Sequence, residues 1–314
     1  MVPETVITIC ICTFRRPQIT LTLGSLSGIK TDKSWNVNVI VADNDFTPSA
    51  RELVEASAVG FPFPIRYIHA PASNISIARN ACLGAAKGDY LAFIDDDETV
   101  TTDWLIELMN VAKKNNAHAV LGPVRAIFSK DSPNWMVQGN FHSTFPTFVN
   151  GEIITGYTCN SLLDMRQPTL SELRFDIARG KSGGEDTDFF DRIYSNGGRI
   201  SYAENAWVEE IVPSSRASLK WLATRRYRSG QTHGKILLKK KKQAIARAYA
   251  FLITSFKAAY CFSGAALTVF SPVSWRRNYI RGALHIGVLS ALVGAQEIEQ
   301  YGATLTDGKN TNAR

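Results

Sequence analysis

The chain has 314 residues, 45% of them hydrophobic, enough to bury one large α/β core and leave a C-terminal appendage, which excludes a small stapled domain. Its net charge of +7 is uneven: residues 211–296 hold fifteen Lys or Arg and no Asp or Glu, so this stretch carries +15 and the remainder −8. Such asymmetry marks a contact surface for something anionic. Five cysteines, Cys10, Cys12, Cys82, Cys159 and Cys261, have neither zinc spacing nor the pattern of a disulfide framework. They point to a reducing compartment, with Cys10 and Cys12 packed on one face of a strand. The opening Met1-Val2-Pro3-Glu4-Thr5 lacks the basic flank and cleavage site of a signal peptide, so export is not expected.

In chain order, the β-branched run 6–13 is a predicted strand that stops at Phe14-Arg15-Arg16-Pro17, where proline ends the strand and opens a helix over 18–26. A second strand over 37–42 stops at Asp43-Asn44-Asp45, and a helix follows over 49–59. Residues 65–69, bounded by Pro64 and Pro71, are short and extended. The segment 75–87 reads as a helix capped by Ser73 or Asn74, with Ala78, Ala81, Cys82 and Ala85 on one face. Gly88-Asp89 ends it before the apolar run Tyr90-Leu91-Ala92-Phe93-Ile94. Strands alternating with helices at this spacing predict a doubly wound, parallel α/β sheet, whose ligands bind beyond the carboxyl ends of the strands. The second half, 119–212, is more irregular, Gly-rich and aromatic, with no internal repeat.

Asp95, Asp96, Asp97 and Glu98 leave the end of that buried apolar strand, where carboxylates must face water, a metal or a ligand. Oxygen-only ligands suit Mg²⁺ or Mn²⁺, with open positions for the phosphates of a nucleotide. The competing explanation is an acidic turn before the helix that starts near Trp104. Polar residues at three strand ends, 13–16, 43–45 and 95–98, favour a site. Downstream, Gly183-Gly184-Glu185-Asp186 sets acids where a loop becomes a helix; they either complement the helix N-terminus or supply an accessible carboxylate, with Asp186 as the candidate proton acceptor. Arg79, alone on an apolar helix start, is either solvated or recognises a base or phosphate.

Taken in order, Thr13-Phe14-Arg15-Arg16-Pro17, Val41-Ala42-Asp43-Asn44, Ala78-Arg79-Asn80, the run from Gly88 to Asp97, and Gly184-Glu185-Asp186 resemble the motifs of the family-2 glycosyltransferases of GT-A fold, over residues 6–234. Within that family the likeness is to bacterial exopolysaccharide glucosyltransferases. The resemblance implies a GT-A domain over 1–234, a Rossmann-like, mostly parallel sheet with flanking helices, divided into a nucleotide-binding half to about 118 and an acceptor half from about 119. It implies that Thr13, Phe14 and Asp43 hold the uracil of a UDP-sugar, with Arg16 at the same strand end and Arg79 facing the nucleotide. The triple aspartate corresponds to the DxD motif, with Asp95 or Asp96 near the ribose and Asp97 on Mn²⁺ or Mg²⁺, a register ambiguous by one residue. His233 is a further candidate ligand. Asp186 matches the catalytic base of an inverting transfer. Asn160, in Thr158-Cys159-Asn160-Ser161, lies on the strand beside the acceptor, and Glu185 joins it as an acceptor candidate.

Arg225 and Arg228, three apart on one face of a predicted helix, could reach a diphosphate. Lys239-Lys240-Lys241-Lys242 then precedes an apolar helical region over 244–270, interrupted at Pro272 and resumed to 296. The longest uncharged window, 258–275, is near the lower limit for a spanning helix and contains Gly264 and Pro272. Interfacial amphipathic helices against anionic headgroups are therefore expected over 235–314, the competing reading being a buried hairpin. Basic residues interleaved with aliphatic runs speak against nucleic acid. These expectations describe an enzyme that moves glucose from UDP-glucose onto a lipid-linked oligosaccharide, as a peripheral or monotopic protein at the cytoplasmic face of the bacterial inner membrane. Metal-dependent nucleotidyl transfer and a non-catalytic membrane-docked scaffold are the competing functions.

Overall fold

A computed structural model describes residues 4–298, so 299–314, the end of the predicted appendage, lie outside the described residues. The first half alternates β1 (Thr5–Thr13), α1 (Ile19–Leu26), β2 (Trp35–Asp43), α2 (Arg51–Ala58), β3 (Ile65–His69), α3 (Ile75–Ala85) and β4 (Tyr90–Asp95). The second half holds β5 (Glu98–Val100), α4 (Trp104–Asn115), β6 (Ala119–Leu121), β7 (Val124–Ile127), α5 (Asn134–Gly139), β8 (Phe148–Val149), β9 (Glu152–Ile153), β10 (Asn160–Asp164), α6 (Pro168–Ser171), α7 (Glu185–Ser195), β11 (Ile200–Tyr202) and β12 (Val208–Ile211). Three long helices follow: α8 (Leu219–Lys240), α9 (Ala244–Leu267) and α10 (Pro272–Leu292).

The main sheet has the order β11-β6-β10-β4-β1-β2-β3. Its pairs are parallel except those of β10, which runs antiparallel to both β4 and β6. The sheet is mostly parallel, as the sequence predicts, with β10 the reversed strand. The reversal is useful, because Asn160 pairs with Ile94, so the segment entering β10 arrives beside the outgoing end of β4. Register also aligns Thr13 with Asp43 and Cys12 with Asp95. Three strands thus deliver their polar termini to one rim.

Burial on both faces explains the sequence of β1: Ile7, Ile9 and Ile11 enter one layer and Cys10 the other, the period-two alternation of a central strand. The first layer is closed by α1, α2 and α4 through Leu23, Val54 and Trp104. The second is closed by α3 and α7 through Ala78, Cys82, Phe189 and Phe190. Each such fully buried large side chain stabilises by about 1.5–3 kcal/mol. The cap of α3 is Asn74, whose side chain accepts from Ser76 N at 3.1 Å and Ile77 N at 3.4 Å. Ala81 and Ala85 are only half-buried, whereas Arg79 is buried.

A boundary at 234 falls inside α8, which continues unbroken to Lys240. α10 is held against α8 by close backbone approach, since a Cβ on Gly230 would collide with the Leu284 carbonyl and one on Gly287 with the Tyr227 carbonyl. α9 lies outside α10 and buries only Ala250, Thr254, Ala258 and Cys261. The uncharged window 258–275 is not one helix: α9 ends at Leu267 and α10 starts at Pro272. Among the described residues, α9 is the one helix long and apolar enough to cross a membrane by length and composition.

Candidate active site

A cleft of about 540 Å³ opens at the rim, with Asp95 and Asp97 in its wall and Asp96 outside its lining. β4 ends at Asp95, and Asp96-Asp97 form the turn into β5, which sets Asp97 on the cleft with Asp95 and turns Asp96 away from it. Asp96 is instead buried, 5% exposed, and keeps Oδ2 without a hydrogen-bond partner. Burial pushes its carboxyl up to about 7 against the opposing pull of Arg16. The Arg16 guanidinium meets Asp97 directly and Asp96 at 3.5 Å.

Three acids deepen the cleft. Glu98 is buried and accepts from Asp95 N at 3.1 Å; desolvation, then Asp95, raise its carboxyl well above the usual range. β12 pairs Glu210 with Glu98, and burial followed by Asp97 raises Glu210 too. Arg216 spans the two groups, 2.7 Å from Glu210 and 3.8 Å from Asp97. On the opposite wall Arg79 forms a buried ion pair with Glu185 and lies 3.9 Å from Asp95. Burial works against its charge, but Glu185 and then Asp95 hold Arg79 protonated.

Asp186 occupies the first turn of α7 and lines the same cleft. Gly184 delivers it: φ is +82°, and a Cβ there would strike Thr232 of α8, so only glycine lets the loop turn against that helix. Asp186 Oδ1 accepts from Thr187 N at 2.6 Å. Arg225 and Arg228 of α8 complete the wall; Arg225 lies over Trp221, 5.4 Å from the ring centroid, and Arg228 donates to the Ser182 carbonyl at 3.4 Å.

Several expected residues are placed elsewhere. Thr13 and Asp43 lie beneath the rim, and Asp43 is fully buried, accepting from Asp45 N at 3.0 Å, Ala50 N at 2.9 Å and the Tyr67 hydroxyl at 2.8 Å. Its oxygens brace the turn after β2. Phe14 remains open at 37% exposure. Asn160 is wholly buried: its side chain accepts from Trp104 Nε1 at 2.8 Å and donates to Pro123 O at 3.0 Å and Ala206 O at 2.7 Å. Those bonds tie β10 to the start of α4 and to the segments at Pro123 and Ala206, and leave Asn160 out of the cleft. Tyr157, Thr158 and Cys159, just before it, line the cleft instead. His233 faces a separate groove between α8, α9 and α10. Arg216 and Glu210 are additions from the structure: Val208-Glu209-Glu210-Ile211 sets its apolar residues on opposite faces of the strand and gives no clean alternation, and Arg216 is hidden within the basic stretch.

The residues fit a divalent ion by their donor chemistry: Asp95 and Asp97 offer hard carboxylate oxygens on one wall, and neighbouring Arg16 and Arg216 mark where positive charge is already drawn. Among the described residues, no group of three or more His, Cys, Asp or Glu is arranged to hold an ion alone. One or two carboxylates completed by a diphosphate is the way such ions are commonly held.

The family model described as glycosyl transferase family 2 matches residues 8–168. The chain is 50% identical over 297 residues to the succinoglycan biosynthesis protein ExoM of Rhizobium meliloti (strain 1021), spanning 95% of this chain and 96% of that protein. Among solved structures, the mannosyltransferase PcManGT from Pyrobaculum calidifontis in complex with GDP-Man and Mn²⁺ aligns with a TM-score of 0.60 at 16% identity, covering 91% of this chain and 88% of that one. S. aureus TarS 1-349 in complex with UDP-GlcNAc aligns with a TM-score of 0.53 at 15% identity, covering 92% of each chain. These two likenesses carry the fold alone, and they make the mostly parallel sheet with flanking helices GT-A-like, as the sequence predicts.

Proposed function

The chain belongs to glycosyl transferase family 2, and from that premise we propose that it transfers glucose from UDP-glucose to a lipid-linked oligosaccharide in bacterial exopolysaccharide synthesis, with inversion at the anomeric carbon. The observation that carries this reading is one cleft holding Asp95 and Asp97 together with Asp186 and ringed by Arg16, Arg79, Arg216, Arg225 and Arg228. Five guanidiniums suit a diphosphate, which they can grip through paired N–H donors. The exposed Phe14 ring at the rim offers a face for the base.

Asp97, with Asp95, would hold Mn²⁺ or Mg²⁺ against the diphosphate; when bound, the ion offsets charge that develops on the leaving UDP. Asp186 is the group to take the proton of the incoming sugar hydroxyl at its free Oδ2, since Oδ1 is engaged by Thr187. Direct attack from that side inverts the anomeric centre without a covalent sugar intermediate. Arg79 keeps Glu185 paired, which leaves Asp186 as the available acid of the two. Arg225 and Arg228 stand on α8 beside Asp186 and suit the departing diphosphate or the acceptor.

The lipid-linked acceptor and a place at the cytoplasmic face of the inner membrane are supported by α9, which exposes Ile245 at 85%, Phe256 at 71% and Tyr260 at 78%. Such a surface, interrupted by Arg247 and Lys257, is the composition of a helix lying at an anionic leaflet. Incubation of purified protein with each UDP-sugar, Mn²⁺ and a membrane lipid extract tests the whole reading. Release of UDP from UDP-glucose with a glucosylated lipid supports it; pyrophosphate as product would establish nucleotidyl transfer instead.

A further inference from the structure

The groove between α8, α9 and α10 takes no part in that chemistry. It encloses about 270 Å³, with Lys241, Lys257, His233 and His285 set around the buried Val288. Among the described residues no carboxylate pairs with these four basic groups. Asp191, the acid whose charge reaches His233, is already taken by Lys240 at 2.5 Å. Burial, and then Lys257, hold the His233 and His285 imidazoles below their usual range. Lys241 and Lys257 thus stand without an ion-pair partner beside two imidazoles able to donate N–H bonds, and an anion in the groove would answer both the charge and the donors.

The rim says which kind of anion. Tyr249, 64% exposed, and Ile253, 38% exposed, border the groove and continue into the apolar surface of α9 at Leu252 and Phe256. A free inorganic ion would leave that hydrocarbon in water. A phosphate attached to acyl chains meets the basic groups around the groove and covers its apolar rim together. We propose that this groove binds the phosphate headgroup of an anionic membrane phospholipid, whose chains lie along the exposed face of α9. The inference rests on the reading that the hairpin meets a bilayer, and adds a defined headgroup site to it.

Flotation with phosphatidylcholine vesicles, alone or with phosphatidylglycerol, measures this. The wild type is expected to prefer the phosphatidylglycerol vesicles by about tenfold or more, and Lys257→Gln to lose about fivefold of that preference, the worth of one basic residue at a surface. Lys242→Gln removes an equal charge one residue outside the groove lining and is expected to lose less than about twofold. Equal losses in the two variants would overturn the site in favour of diffuse attraction. Binding to neutral vesicles with no preference for phosphatidylglycerol would also overturn it while leaving the membrane contact intact, and absence of binding to every vesicle would remove the membrane premise as well. Affinity for UDP, read by calorimetry in each variant, should stay at the wild-type value and certifies the fold.

Discussion

The cleft and the hairpin break the ordinary rules of burial in opposite senses: one hides charge, the other displays hydrocarbon. In the cleft the hidden charges answer one another, Arg79 with Glu185, Arg16 with Asp97, Arg216 with Glu210. On α9 nothing within the described residues covers the apolar surface. A protein that compensates its misfits internally is poised for a small ligand that can exchange with those partners. One that leaves them uncompensated needs an external phase. α8 joins the two, lending Arg225 and Arg228 to the cleft and His233, with Lys241 just past its end, to the lipid-facing groove.

The largest effect should come from breaking the internal compensation. Arg79 and Glu185 side chains are 7% and 4% exposed, so Arg79→Met leaves a buried carboxylate alone and should cost about 3–5 kcal/mol in denaturant unfolding. Arg79→Met with Glu185→Leu should recover part of that loss. If the single variant unfolds like the wild type, the cleft charges are not mutually compensated as described. Next, Asp186→Asn keeps size and fold but cannot accept a proton, so turnover should fall by roughly 10²-fold or more while UDP affinity holds. Near-normal turnover would move the base to another group.

The parallel half was legible because buried apolar runs ended on polar residues: Asp95, Asp97 and Arg79 could not be left in a core without a purpose. The register of the aspartates was not legible, since three contiguous identical residues carry no phase; only the turn from β4 into β5 resolves which two face the cleft. Asn160 misled for a related reason. It does begin β10, but its hydrogen bonds to Trp104, Pro123 and Ala206 come from segments 37 to 56 residues away, and no local pattern announces them. The tetralysine run looked uniformly available for headgroups, whereas Lys239 and Lys240 are paired to α7. Charge counts cannot reveal which partners a fold supplies.

The pH dependence of stability sharpens the account of the hidden charges. Asp96 titrates near 7 when folded and near 4 when unfolded, so between those values the folded state holds a proton that the unfolded chain has released. Stability from this group is full at low pH and is lost as pH rises through that window, by about 1–2 kcal/mol between pH 5 and 7. Asp96→Asn should flatten that part of the unfolding profile relative to the wild type, and a parallel profile would contradict the assignment. The smallest change in stability belongs to the hairpin: Leu252→Ser with Phe256→Ser removes exposed hydrocarbon and should shift unfolding by no more than about 0.5 kcal/mol. The same variant should nevertheless lose much of its flotation with vesicles. A large stability loss would mean that α9 packs internally.

The claim on which the rest depends is that Asp97 and Asp95 present a metal-dependent seat for the diphosphate of a UDP-sugar. Calorimetric titration of UDP, with and without Mn²⁺, into wild type and Asp97→Ala tests it most directly. The wild type should bind UDP more tightly with Mn²⁺ present, and Asp97→Ala should lose that response. Equal affinity in all four titrations would contradict the account.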